Sequence, residues 1–176
     1  MKHELFAIVL AGGKGTRLWP LSRKKTPKHI MPQPLTGATT LLRQTIDRLR
    51  PLIPLDHIII STTRSHKAEI TRQLRDLKGL RYSIEESPKS TAPAIALAVS
   101  TILNDHPQAC IATINADAWV ASNLAYRRAI KQALAVVEHE PNSLILLGIP
   151  PRTPDTGLGY IIAGSQIAKT PRPLYR

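Results

Sequence analysis

An α/β fold, a mostly parallel sheet with helices on both of its faces, is predicted by three features of the sequence. Apolar runs of strand length recur along the chain, nearly uninterrupted, as in strands buried on both faces. Between them lie segments whose apolar residues are spaced as on one side of a helix. The two signals alternate in regular order, as they do where crossover helices join parallel strands. A chain of 176 residues suffices for one domain with a genuine core. No internal repeat, low-complexity tract or second domain interrupts it.

Phe6-Ala7-Ile8-Val9-Leu10 reads as the first buried strand. The glycine-rich turn Ala11 to Pro20 follows at once. Gly12, Gly13 and Gly15 lack Cβ atoms, so the backbone can bring its N–H groups against an anion. Lys14, Thr16 and Arg17 add two charges and a hydroxyl, and an arginine can grip a phosphate with two parallel hydrogen bonds. The Walker pattern is absent, and no third glycine completes G-x-G-x-x-G. Residue logic alone therefore gives a phosphate near this loop, with a plain strand-to-helix turn as the competing reading.

The segment from Pro20 to Pro34 holds four prolines and many cations, so an irregular surface course outside the core is expected. Leu41, Leu42, Thr45, Ile46 and Leu49 have helical spacing, and the helix must stop before Pro51. His57 to Ser61 is the next buried strand. Thr62 or Thr63 is placed to cap a helix with Ala68, Ile70 and Leu74 inward and Arg72, Arg75 and Lys78 outward, ending near Gly79. Leu80 to Ile84 alternates like a strand, and Pro93 to Leu103 is an alanine-rich helix able to pack closely on a sheet. Cys110 to Ile114 reads as a strand, Asn123 to Val137 as an amphipathic helix, and Leu144 to Ile149 as a further apolar strand.

Ligands of open parallel sheets collect at the carboxyl ends of the strands, where strand order reverses. Four stretches are expected to converge there: the glycine loop, Glu85 to Thr91, Asp117, and the loop from Thr156 to Gly159. Charge supports an anionic ligand. Residues 1–90 carry 17 Lys and Arg against 7 Asp and Glu, leaving 7 against 5 for the remainder of a chain with net charge +12. A basic nucleic-acid module is the other reading of that charge. Few aromatic residues and scattered cations argue against it, and against base stacking by Trp19. The single cysteine, Cys110, allows no internal disulfide and reads as a small buried side chain. The six histidines lack ligand-like spacing, so no zinc site is expected. No leader pattern or membrane-length apolar run stands out, and a soluble, cytoplasmic protein without membrane or nucleic-acid partners is expected.

Leu10-Ala-Gly-Gly-Lys-Gly-Thr-Arg-Leu-Trp-Pro-Leu-Ser-Arg23, followed by Pro27-Lys28, resembles the signature of the sugar-1-phosphate nucleotidyltransferases. The Leu-Trp-Pro-Leu-Ser-Arg variant is similar to their mannose-1-phosphate guanylyltransferase branch. Thr91-Ala92-Pro93, Ala116-Asp117 and Thr156-Gly157-Leu158-Gly159-Tyr160-Ile161 extend the resemblance in the family's order. It implies a Rossmann-like fold of the nucleotide-diphospho-sugar transferase type, filling residues 1–176. It also implies transfer of a guanylyl group from GTP to mannose-1-phosphate with Mg²⁺. A glucose-1-phosphate enzyme and a nucleotide-binding remnant without turnover are the alternatives.

By the same resemblance, Arg17 and Lys28 are the catalytic cations. Ala11, Gly12, Gly13, Gly15, Thr16, Glu85 and Thr91 bind the nucleotide, Gly157, Gly159 and Tyr160 the sugar, and Asp117 the metal. A carboxylate at Glu85 can accept hydrogen bonds from the ring N–H and amino group of guanine. The chain departs from the family at Lys89-Ser90, where Arg-Asn is usual, at Asn115 and Ala118 around the aspartate, and at Leu158, usually aromatic. The family's later Glu-Lys-Pro segment and second metal aspartate have no counterpart before Arg176, so the carboxyl-terminal part of the fold is expected to be missing. A homo-oligomeric state is left open.

Overall fold

β1 (Leu5–Leu10) is the strand around which the sheet is laid, because Phe6, Ala7, Ile8 and Val9 are apolar toward both faces and all four are fully buried. The computed structural model describes residues 3–13, 30, 39–168 and 174–175. β1 pairs in parallel with β2 (Ile58–Thr63) on one side and with β4 (Cys110–Asn115) on the other, and β2 pairs in parallel with β3 (Arg81–Glu85). The order is β3-β2-β1-β4. Four helices join or follow these strands: α1 (Leu41–Leu49), α2 (Arg64–Gln73), α3 (Thr91–Asp105) and α4 (Asn123–His139).

The period of two along each strand divides the core. Ala7, Val9, Ile58 and Ile60 face α1, α2 and α4, packing on Leu42, Ile46, Ile70 and Ile130. Phe6, Ile8 and Ile59 face α3, where Ala98 and Ile102 let the helix lie close. Helices thus cover both faces, as the alternating pattern predicts. α1 spans the expected residues. The Thr40 side chain accepts a hydrogen bond from the Arg43 N–H at its start, and Pro51 lies just beyond its end.

Several details depart from the sequence expectations. Leu144 to Ile149 forms no strand, and Leu144 and Ile149 are 87% and 90% exposed. An apolar run becomes a buried strand only where an edge pairs it and layers cover it, and periodicity carries no information on either. The Pro20 to Pro34 segment does reach the core at Ile30, which is 1% exposed and whose carbonyl accepts from Gln73 Nε2. α2 ends at Gln73; Ile70 and Leu74 face inward as expected, but Ala68 is exposed, and His66, one turn before Ile70, is the residue buried in its stead. Thr63 precedes α2 without capping it, since its hydroxyl meets Ser65 Oγ instead. Gly79 (φ +98°) makes the turn into β3, where a side chain would be strained. Cys110 is half-buried rather than buried, and burial pushes its thiol up, with Glu138 adding to the shift. A two-stranded antiparallel ribbon, β5 (Gln166–Ala168) with β6 (Leu174–Tyr175), closes the described chain.

Candidate nucleotide site at the strand-order reversal

The chain steps from β1 to β2 to β3 in one direction, then returns across β1 to β4. The order therefore reverses between β1 and β4, the position where open parallel sheets leave a crevice at their carboxyl ends. Register decides what lies there. Leu10 pairs with Asn115, and the Ala116 N–H donates to the Leu10 carbonyl at 3.2 Å. Two residues past each partner stand Gly12 and Asp117, just beyond the ends of neighbouring strands. Asp117 is exposed, directly after the fully buried Ala116.

The start of the glycine turn is fixed from the β2 side. The Ala11 N–H donates to the Ser61 carbonyl at 2.8 Å, and Thr62 Oγ1 donates to the Ala11 carbonyl at 3.0 Å. Both backbone groups of Ala11 are thereby satisfied, and Gly12 leaves in a set direction. A Cβ on Gly12 would stand 3.7 Å from Glu85 Oε2 and 3.8 Å from Thr63 Cγ2. Glu85, the last residue of β3, is half-buried, and its Oε1 accepts from the Lys89 N–H at 3.3 Å. Gly13 has open space around it, and Thr91 begins α3 on the same rim. Ser90, before it, has φ 80° and ψ 179°, a conformation otherwise left almost entirely to glycine.

Gly12, Gly13, Glu85, Thr91 and Asp117 therefore occupy the carboxyl edge of one sheet, as expected. Gly15, Thr16, Arg17 and Lys28 lie outside the described residues, as does Trp19. The sugar-side residues are not carried to that edge by a strand, because Leu144 to Ile149 is not one. Gly157, Gly159 and Tyr160 sit in an exposed segment organised by its own contacts. Asp155 Oδ1 accepts from the Gly157 N–H at 2.8 Å, and the Tyr160 hydroxyl donates to the Asp155 carbonyl at 3.0 Å. A groove there is lined by residues of this stretch alone, Pro151 to Thr156 with Tyr160. Sequence reasoning missed Thr62 as a support of the loop. Its signal was present, since three polar residues ending an apolar strand suit hydrogen bonding at the rim as well as helix capping.

Among the described residues no group of three or more His, Cys, Asp or Glu could hold a metal ion. A metal at Asp117 would accordingly take most of its oxygens from phosphate and water, the manner in which Mg²⁺ is held by one or two carboxylates beside a nucleotide. The exposed carboxylate next to the glycine turn suits that hard cation. No helix among the described residues is long and apolar enough to cross a membrane.

A family model described as nucleotidyl transferase matches residues 6–170. The chain is 36% identical over 167 residues to a mannose-1-phosphate guanylyltransferase of Escherichia coli K12, covering 93% of this chain and 34% of that protein. It is 37% identical over 174 residues to the alginate biosynthesis protein AlgA of Pseudomonas putida, covering 98% and 35%. The chain thus spans about a third of the length of the curated relatives it matches. A solved Thermus thermophilus structure described as mannose-1-phosphate geranyltransferase superposes with a TM-score of 0.68 at 35% identity, over 78% of this chain and 39% of that one. A Bacillus anthracis glucose-1-phosphate thymidylyltransferase structure, at 23% identity and a TM-score of 0.56, shares the fold.

Proposed function

The chain belongs to the nucleotidyl transferase family, and from that premise we propose that it transfers a guanylyl group from GTP to mannose-1-phosphate, giving GDP-mannose and pyrophosphate. The observation that carries this reading is the β1–β4 register, which sets the glycine turn and Asp117 on adjacent strand ends at the order reversal. The guanylyltransferase relatives favour this base and sugar.

An oxygen of the sugar phosphate attacks the α-phosphorus of GTP. The new P–O bond forms as the bond to the β-phosphate breaks, and pyrophosphate carries away the charge. Such transfers need positioning and charge neutralisation more than covalent help. The amides of Gly12, Gly13, Gly15 and Thr16, with Arg17, hold the departing β- and γ-phosphates. Lys28 is assigned to neutralising the α-phosphate. Asp117 holds Mg²⁺, which when bound neutralises phosphate oxygens and draws charge off the reacting phosphorus. Glu85 accepts from the guanine ring N–H and amino group, Thr91 donates from the start of α3, and Gly157, Gly159 and Tyr160 line the sugar. The closeness of Gly12 and Glu85 at the strand ends, where a Cβ on Gly12 would stand 3.7 Å from Glu85 Oε2, supports a nucleotide reaching from the end of β1 over β2 toward β3.

The test is pyrophosphate release with Mg²⁺, mannose-1-phosphate and each nucleoside triphosphate in turn. Release confined to GTP is expected, and its loss in both Arg17→Ala and Asp117→Ala with the fold intact. GTP binding without release by the parent chain would make it a nucleotide-binding remnant. Wild-type rates in either variant would overturn the site assignment.

A further inference from the structure

Arg48, in the last turn of α1, is the largest of the described side chains withdrawn from solvent, at 2% exposed. No carboxylate accompanies it. All twelve Asp and Glu fall within the described residues, and none pairs with this guanidinium. Its Nη1 is buried without a hydrogen-bond partner. Nε donates to Asn123 Oδ1 at 2.9 Å, and the guanidinium carbon stands 5.2 Å from the centre of the Tyr126 ring. Arg127 Nη1 in turn donates to the Arg48 carbonyl at 3.2 Å. Burial pushes the Arg48 guanidinium down from its ordinary value, while Tyr126 opposes the shift.

A buried guanidinium without a carboxylate is a poor way to stabilise a protein, because desolvation outweighs what a neutral amide acceptor and a ring face return. An apolar side chain would fill the place more favourably. What only the arginine provides is reach, from the end of α1 to the first residue of α4. That first residue ends the loop that carries Asp117. The loop is anchored at its β4 side by the buried Ala116, bonded to Leu10, and at its α4 side by Ser122, which caps the helix, and by Asn123. Residues 117–119 between the anchors are exposed.

We propose that Arg48 is a positioning residue for the metal site, holding the Asn123 end of the loop so that Asp117 keeps its place beside the glycine turn. The inference rests on the reading of Asp117 as the Mg²⁺ ligand. It predicts that stability and metal affinity separate on mutation. Arg48→Met retains the bulk and removes the buried charge, so its unfolding midpoint should equal or exceed the parent's. Its affinity for Mn²⁺ in the presence of GTP, followed by electron paramagnetic resonance, should fall about tenfold or more, as for other supports of a metal ligand. Metal-free GTP binding should be unchanged. Asn123→Leu, altered at an exposed position, should show the same loss and serves if Arg48→Met does not fold.

Asp117→Ala separates the two ideas. Parent-like Mn²⁺ affinity in Asp117→Ala would overturn the metal reading and this inference with it. Loss in Asp117→Ala, with parent-like affinity in folded Arg48→Met or in Asn123→Leu, would overturn the positioning role alone. A midpoint that falls in Arg48→Met with unchanged Mn²⁺ affinity would assign Arg48 to stability instead.

Discussion

At Gly12 the surroundings distinguish folding from binding. The nearest atoms to an added Cβ lie at 3.7–3.8 Å, ordinary contact distances, and its backbone does not require glycine. Gly12→Ala should therefore fold with an unfolding midpoint close to the parent's. The methyl group would nevertheless stand at the start of the turn whose amides are assigned to the phosphates, 3.7 Å from the Glu85 carboxylate, so GTP affinity measured by calorimetry should drop about tenfold or more. Equal affinity would show that the phosphates lie elsewhere. Ser90 makes the converse case. Its φ of 80° is strained for a side chain, and Ser90→Gly should raise stability by about 1 kcal/mol in urea unfolding, once the greater freedom of unfolded glycine is subtracted. The glycine turn was legible because glycines and cations stand together in sequence. Thr62 was not, because its bond to Ala11 spans 51 positions and exists only through the β1–β2 register.

Elements were legible where local chemistry sets their limits. α1 has a threonine cap, an apolar stripe and a proline beyond its end, and each is a short-range cause. Thr40→Ala should accordingly cost about 1 kcal/mol of stability in chemical denaturation, with nucleotide binding unaffected. β1 was equally clear, since four consecutive buried apolar residues leave few other roles. Leu144 to Ile149 has a similar composition and a different outcome. Whether such a run is a strand depends on a partner edge, a long-range property absent from the run itself. The sugar-side loop inherits that uncertainty of placement, so its three residues were legible as a motif but not as part of the rim.

Across the whole molecule, helices on one face are tied by ion pairs as well as by core packing. Arg43 on α1 donates to Asp47 and, across to the turn after α2, to Asp76, each at 2.9 Å. Hydrogen bonding from Arg43 holds the Asp76 carboxyl below its usual value, and Arg72 does the same for Glu69. A carboxyl depressed in the folded state adds stability that is present above its unfolded pKa and lost as pH falls through the folded one. With unfolded values of about 3.9 and 4.3, that loss lies in a window from roughly pH 5 downward. Both carboxylates are solvent-accessible, so screening keeps the effect small. Arg43→Leu should lower the urea midpoint slightly at neutral pH and flatten its decline on acidification, because the main cause that depresses the folded Asp76 would be gone. A decline as steep as the parent's would place the acid sensitivity in other carboxyl groups, and added salt should flatten the parent's curve toward that of the variant.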